Sequence, residues 1–239
     1  MKRSNWRRPL ALIATGAAAI VLWQPIAQLS LFSDLNAQVI QEPAPMTYGL
    51  VNIAAASPSI LLDIRYATKN NFLHFPVYPR AACYLQKEVA IALCEVQEEF
   101  SQINLGLKIF DGYRPLSVQQ LMWDTIQDER YVSNPAKGGG RHTRGTAVDL
   151  TLVDADGNEL EMPTGFDDFT ERAHSDYMAL GEMAIKNRAL LREVMERHGF
   201  HQLPTEWWHF DFDGWRDEAK YPPLDVNFDT LDWLARHGS

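Results

Sequence analysis

The sequence predicts an α+β fold, and three observations lead there. Short β-branched or aromatic runs and longer stretches with helical spacing both occur, but they do not alternate as regular βαβ units. No internal repeat or low-complexity tract appears. The chain has 239 residues, 46% of them apolar and 22% charged, enough to bury an ordinary core as one domain.

Taken in order, residues 1–37 stand apart. Lys2, Arg3, Arg7 and Arg8 precede an uncharged apolar run from Pro9 to Trp23, and Leu35-Asn36-Ala37 offers a small-residue cleavage point. This is the layout of an export signal. At about 15 residues the run is short for a membrane span, which needs roughly 20; a retained N-terminal anchor is the alternative. The protein is therefore expected to be exported, periplasmic or in the cell envelope, meeting a membrane only through that segment if it is not cleaved. Residues 38–58 read as an irregular lead-in, and 59–239 as the single folded domain.

Ile60–Tyr66 reads as a strand start. Leu85, Val89, Leu93, Val96 and Phe100 have helical spacing, predicting a helix over residues 82–100. Eleven residues along that helix hold Cys83 and Cys94 roughly 16 Å apart, too far for a disulfide; the objection weakens if Cys83 precedes the helix. Leu107–Phe110 is a short strand running into the turn Asp111–Pro115. Pro115 opens a helix with Val118, Leu121, Met122 and Ile126 on one stripe. A glycine-rich loop, Asn134–Gly140, leads to a strand over Thr146–Val153, followed by a turn at Asp156-Gly157. Ser175 is placed to cap a long helix carrying Met178, Ile185, Leu191, Val194 and Met195, stopped at His198-Gly199. Trp207–Phe212 is an aromatic strand.

The formal charge is −9, and loss of residues 1–37 would remove more basic than acidic residues. Such a surface repels phosphate backbones, which argues against nucleic-acid binding. It leaves room for a small zwitterionic substrate.

Two distant stretches carry the chemistry: Arg141–Asp149 and Glu206–His209. His142, Asp149 and His209 offer two imidazoles and a carboxylate. Three N/O ligands leave an open position, the pattern of catalytic zinc. Glu206, three residues before His209, is the proton acceptor that a metal-bound water needs. Taken singly, Asp149 reads equally as a structural carboxylate receiving backbone N–H groups, and His209 as a core histidine; their joint occurrence favours the metal. Two His and a carboxylate also describe non-haem iron sites, but those have no use for the neighbouring Glu. Arg114, held between Gly112 and Pro115, can clamp a carboxylate or a developing oxyanion, or bridge to a surface acid. His198 reads as a helix C-terminal cation. His74, His174, His201 and His237 read as structural or surface groups, and Trp207-Trp208 as pocket wall.

These residues resemble the zinc DD-peptidases that share a metal site with the hedgehog fold, and among them the VanX-type D-alanyl-D-alanine dipeptidases. The resemblance runs over roughly residues 48–228. It is carried by His142-x6-Asp149 with Gly145, Glu206-x-x-His209, Asp63–Thr68, Asn71-Phe72, Asp111–Pro115, Asp149–Leu152 and Phe166-Asp167. It implies a single domain with a central, mostly antiparallel sheet flanked by helices. It further implies one zinc ion per chain on His142, Asp149 and His209, Glu206 as general base, Arg114 stabilising the tetrahedral intermediate, Asp167 holding the substrate ammonium, and Tyr66 lining the pocket. The expected activity is D-alanyl-D-alanine hydrolysis in wall-peptide turnover. The rivals are a D,D-carboxypeptidase acting on longer wall peptides and a wall-binding module without turnover. One departure is Gly140, where the family tends to have Ser.

Overall fold

The structure is a computed structural model and describes residues 48–237. The expected export segment and residues 38–47 lie outside the described residues.

The elements, in chain order, are β1 (Leu50–Asn52), α1 (Ile53–Ala56), β2 (Leu61–Leu62), β3 (Tyr84–Gln86), α2 (Lys87–Ser101), β4 (Leu105–Asp111), α3 (Leu116–Thr125), β5 (Ala147–Asp154), α4 (Glu182–Arg197), β6 (Phe200–Gln202), β7 (His209–Phe212) and α5 (Phe228–His237). Short 3₁₀ turns stand at Arg65–Ala67, Pro135–Lys137, His142–Arg144 and Glu171–Ala173. Five strands form one sheet in the order β2-β4-β5-β7-β6, and β1 pairs with β3 separately. Only β2 and β4 run parallel in the larger sheet; β4, β5, β7 and β6 are antiparallel throughout. The expected α+β fold with a mostly antiparallel sheet is what forms.

β5 is the central strand, and every residue from Ala147 to Val153 is buried. With both faces covered, the apolar Val148, Leu150 and Leu152 pack on one side while Asp149 has to find polar company on the other. α2 buries Val89, Leu93, Val96 and Phe100, each stabilising the fold by roughly 1.5–3 kcal/mol. Gln97 from the same helix accepts the Leu107 N–H at 2.9 Å, tying helix to sheet.

Several expected elements shift. Within the lead-in, Leu50–Asn52 is a strand paired with Tyr84–Gln86. It is three residues long and its paired residues lie 32 to 36 positions further along the chain, so no local periodicity marks it. The helix expected from residue 82 begins at Lys87; Leu85 is a buried strand residue that falls by chance in the helical spacing of Val89 and Leu93. Cys83 therefore precedes the helix, and the separation argument against a bridge does not apply. Both cysteines are nonetheless free. The helix expected at Ser175 begins at Glu182, and Met178 is exposed. Ser175 instead gives its backbone N–H to the Pro204 carbonyl at 2.9 Å, holding residues 174–181 as irregular chain. Leu121 points to solvent rather than into the stripe of α3. The last strand is only His209–Phe212, because Glu206–Trp208 is a turn.

Candidate active site

Register builds the first half of the site. Asp111 pairs with Asp149 across β4–β5, and Asp149 pairs with His209 across β5–β7. The three residues form one row over three neighbouring strands, so their side chains share a face. His142 joins from outside the sheet, on the 3₁₀ turn His142–Arg144, which ends at Gly145 with φ +68°. A Cβ at Gly145 would sit 2.6 Å from Leu50 Cδ2, so both conformation and space require glycine. The Asp111–Pro115 turn grips this loop: Arg114 N–H donates to the His142 carbonyl at 3.1 Å, and His142 Nδ1–H donates to the Gly112 carbonyl at 2.8 Å.

The donor set fits a metal ion. Gly112 O can only accept, so His142 carries its proton on Nδ1 and aims Nε2 inward. His209 Nε2–H donates to Asp211 Oδ1 at 2.8 Å, so its Nδ1 faces inward too. The inner nitrogens lie 3.2 Å apart, with Asp149 oxygens 2.9 Å from His209 Nδ1 and 3.4 Å from His142 Nε2. Two lone pairs and a carboxylate at such range require a cation between them. Two nitrogens bound tetrahedrally to zinc at about 2.05 Å would stand about 3.3 Å apart, close to what is seen. The candidate ligand atoms of all three residues lie within 4.8 Å of one another. A proton can stand in for that cation: burial lowers the His209 pKa, but hydrogen bonds to Asp149 and Asp211 lift it to about 10, and a metal ion on Nδ1 would displace that proton. Burial raises Asp149, and the two imidazoles more than reverse that, holding it below its ordinary value. Outer hydrogen bonds of this kind orient metal-binding histidines and fix their tautomers.

Glu206 stands at the start of the turn closed by the His209 N–H on the Glu206 carbonyl at 3.4 Å. In a regular strand the two side chains would oppose each other. The turn brings Glu206 Oε2 to 4.0 Å from His209 Nδ1, the departure from strand geometry that the spacing requires. Burial pushes the Glu206 carboxyl up to about 7 despite the charge of His209.

Arg114 is buried on Asp111, whose Oδ2 accepts from Nε at 3.2 Å and Nη2 at 2.6 Å, while Nη1 donates to Gln119 Oε1 at 2.9 Å. Three of its five N–H groups are thus used, leaving two for another acceptor. Burial lowers its pKa, but Asp111 raises it well above the ordinary value. Asp111 has no solvent exposure and accepts further bonds from Tyr78 Oη at 2.8 Å and its neighbour's N–H, Gly112, at 2.9 Å.

Asp167 adopts φ +60°, a left-handed conformation tolerated by Asp but rare for L-residues. Its neighbour Phe166 packs against Phe110, Trp208 and Tyr66, anchoring the strained turn. Asp167 receives the Tyr66 hydroxyl at 3.1 Å, and the Tyr66 ring lies beneath Arg114 at 5.1 Å. Burial, then the charge of Asp149, push the Asp167 carboxyl up to about 8.

All seven residues singled out from sequence line one cavity of about 230 Å³, below the 300–1,000 Å³ typical of drug-sized ligands. One wall is narrowed by Tyr131, tilted against Phe169 with ring centroids 4.4 Å apart, and by Phe72 edge-on to Phe169. Sequence reasoning missed Asp111, Gln119 and Asp211. Asp211 had a signal: two residues after His209 on a strand, it must share the histidine's face. Gln119 had none, since its partners come from other segments. The remaining histidines stay outside the cavity. His198 ends α4 against Glu95 and Glu99, and His201 pairs with Asp213.

The donor cluster with a carboxyl base beside it suits a metal-dependent hydrolase, and comparison with known proteins places the chain among the metallopeptidases. The family model described as D-ala-D-ala dipeptidase, Peptidase_M15, matches residues 46–227. A D-alanyl-D-alanine dipeptidase of Escherichia coli K12 is 36% identical over 182 residues, covering 76% of this chain and 92% of the relative. Another from Enterococcus faecalis is 34% identical over 186 residues, covering 70% and 90%. A third, from Enterococcus faecium, is 33% identical over 180 residues, covering 67% and 87%. The chain belongs to the Peptidase_M15 D-ala-D-ala dipeptidase family.

Proposed function

We propose that the protein is an exported zinc dipeptidase that hydrolyses D-alanyl-D-alanine released during wall-peptide turnover. The observation carrying this reading is the convergence of His142, Asp149 and His209 beside a largely buried Glu206, in one cavity with an acid, Asp167, suited to a free ammonium. His142, Asp149 and His209 would hold one zinc ion. When bound, zinc supplies Lewis-acid activation of water and of the scissile carbonyl.

The protein's own residues do the rest. Glu206, whose carboxyl burial raises above its ordinary value, takes a proton from the attacking water and returns it to the leaving amine. The two uncommitted N–H groups of Arg114 oppose charge developing on the carbonyl oxygen. Asp167, with the Tyr66 hydroxyl, receives the substrate ammonium, whose positive charge favours the ionised carboxylate.

An ammonium-binding acid and a cavity narrowed by Tyr131 and Phe169 favour a free dipeptide over the longer peptides of a D,D-carboxypeptidase. A buried base beside the metal ligands has no use in a wall-binding module without turnover. Export is supported by the basic residues preceding the apolar run Pro9–Trp23. The test is Glu206→Gln: about 10²–10⁴-fold lower kcat with unchanged zinc content. Undiminished hydrolysis, or a purified wild type without stoichiometric zinc, refutes the reading.

A further inference from the structure

Arg114 is oriented by Asp111, and Asp111 is itself held from behind. Tyr78 is buried, and its hydroxyl donates to Asp111 Oδ1 at 2.8 Å, while Oδ2 takes the Nε and Nη2 groups of Arg114. The Tyr78 ring also stands edge-on to Tyr66 at 5.9 Å, and the Tyr66 ring lies beneath Arg114. Arg114 and Tyr66 line the catalytic cavity, whereas Tyr78 and Asp111 do not. Whatever Tyr78 contributes to the chemistry therefore passes through its neighbours.

Tyr78 is in turn backed by the C-terminal helix. α5 starts at residue 228, directly after the stretch matched by the family model, and Phe228 is buried. The Phe228 ring packs on Tyr78 at 4.9 Å, on Tyr84 at 5.4 Å and on Tyr113 at 6.4 Å, all within the range of attractive aromatic pairs. Arg80, two residues after Tyr78, fastens the start of the helix. It donates to the Phe228 carbonyl and pairs with Asp229 and Asp232, each at 2.6 Å.

The chain leading into α5 grips the other side of the arginine turn. The Leu116 N–H donates to the Leu224 carbonyl at 3.0 Å, and the Ser117 N–H to Asp225 Oδ1 at 2.8 Å. The Tyr113 hydroxyl donates to the Val226 carbonyl at 3.2 Å and accepts the Val226 N–H at 2.8 Å. Residues 224–228 thus meet the Arg114 turn at 113, 116 and 117, and reach Asp111 through Tyr78. A turn of the Arg114 guanidinium away from its present orientation would have to displace Asp111 and Tyr78, and close-packed surroundings resist such displacements.

We propose that Tyr78, backed by Phe228, is a positioning residue that orients the Arg114 guanidinium towards the developing oxyanion, which makes α5 part of the catalytic scaffold. This rests on the dipeptidase reading above. The competing account gives Tyr78 and Phe228 a packing role alone. The two accounts differ in whether the loss of either residue is felt through Arg114.

The experiment is a mutant cycle on the full-length, zinc-loaded protein hydrolysing D-alanyl-D-alanine. Tyr78→Phe, Phe228→Ala, Phe228→Leu and Arg114→Lys are compared with wild type, together with Tyr78→Phe and Phe228→Ala each combined with Arg114→Lys. Zinc content and melting temperature are measured for every variant. Tyr78→Phe removes one hydroxyl and keeps the ring; it should lower kcat by about 10-fold, within the roughly 10²-fold that a 1 Å misplacement costs, with KM and zinc content unchanged. Phe228→Ala should lower kcat likewise, and Phe228→Leu, which keeps most of the volume, should recover part of it. With Arg114→Lys already present, both losses should shrink to less than about twofold, because residues acting as one unit are not additive. If Phe228→Ala melts below the assay temperature, Tyr78→Phe decides alone. A folded, zinc-loaded Tyr78→Phe with wild-type kcat, or equal losses with and without Arg114, overturns the assignment and leaves the dipeptidase reading intact. A wild type that does not cleave D-alanyl-D-alanine overturns both.

Discussion

Replacing Asp111 by Asn removes the counter-charge of a buried arginine while keeping shape. Asp111 is fully buried and accepts four hydrogen bonds, two of them from Arg114. Asparagine can still accept through one oxygen, but its amide must then face either the Arg114 donors or those of Tyr78 and Gly112. Either way donor meets donor, and Arg114 is left charged and buried. Breaking a buried pair from one side costs about 3–5 kcal/mol. For a domain of this size each kcal/mol is worth about 2–4 °C, so the melting temperature should fall by roughly 6–20 °C. The Asp111→Asn/Arg114→Met double variant, which leaves no orphaned charge, should recover at least half of that loss. Thermal unfolding followed by circular dichroism at pH 7 measures both. Activity should fall in Asp111→Asn beyond the unfolded fraction, since Arg114 loses its orientation. A single variant melting within about 2 °C of wild type, less than 1 kcal/mol by the same conversion, would refute the account of how Arg114 is held.

Three further outcomes follow from the same geometry. Chelation should abolish activity and lower the melting temperature, and added zinc should restore both, because an ion binding only the folded cluster stabilises it by mass action; a chelated protein with unchanged stability would contradict a site built by folding. Asp167 is held at about 8 in the folded protein against an ordinary 3.8, so the folded state keeps its proton longer and this group costs stability as pH rises through that window. Metal-free Asp167→Asn should thus gain on wild type between pH 5 and pH 8, by on the order of 2 kcal/mol given the partial exposure of Asp167, as read by denaturant titration; a constant difference would be the contrary result. Gly145→Ala forces a side chain into a left-handed site against Leu50 and should destabilise by about 1–3 kcal/mol, with weaker zinc binding because His142 sits on the same turn; calorimetric zinc titration checks the second half.

The amino-acid sequence by itself determined which residue types could do the chemistry. Two imidazoles, a strand-borne aspartate and a spare glutamate can be counted without coordinates, because donor chemistry belongs to the side chain. It also determined β4, β5 and the body of α3, where turn residues and apolar periodicity agree locally. Tertiary structure alone decided what depends on segments meeting. The three-residue strand β1 exists because β3 lies beside it, and α2 starts five residues later than its periodicity suggests because Tyr84–Gln86 is drawn into that pairing. Asp111, Gln119 and Asp211 gained their roles the same way, from strand register and from partners distant in sequence. Register and burial are properties of neighbours in space; they set the tautomers of His142 and His209 and raised the carboxyls of Glu206 and Asp167.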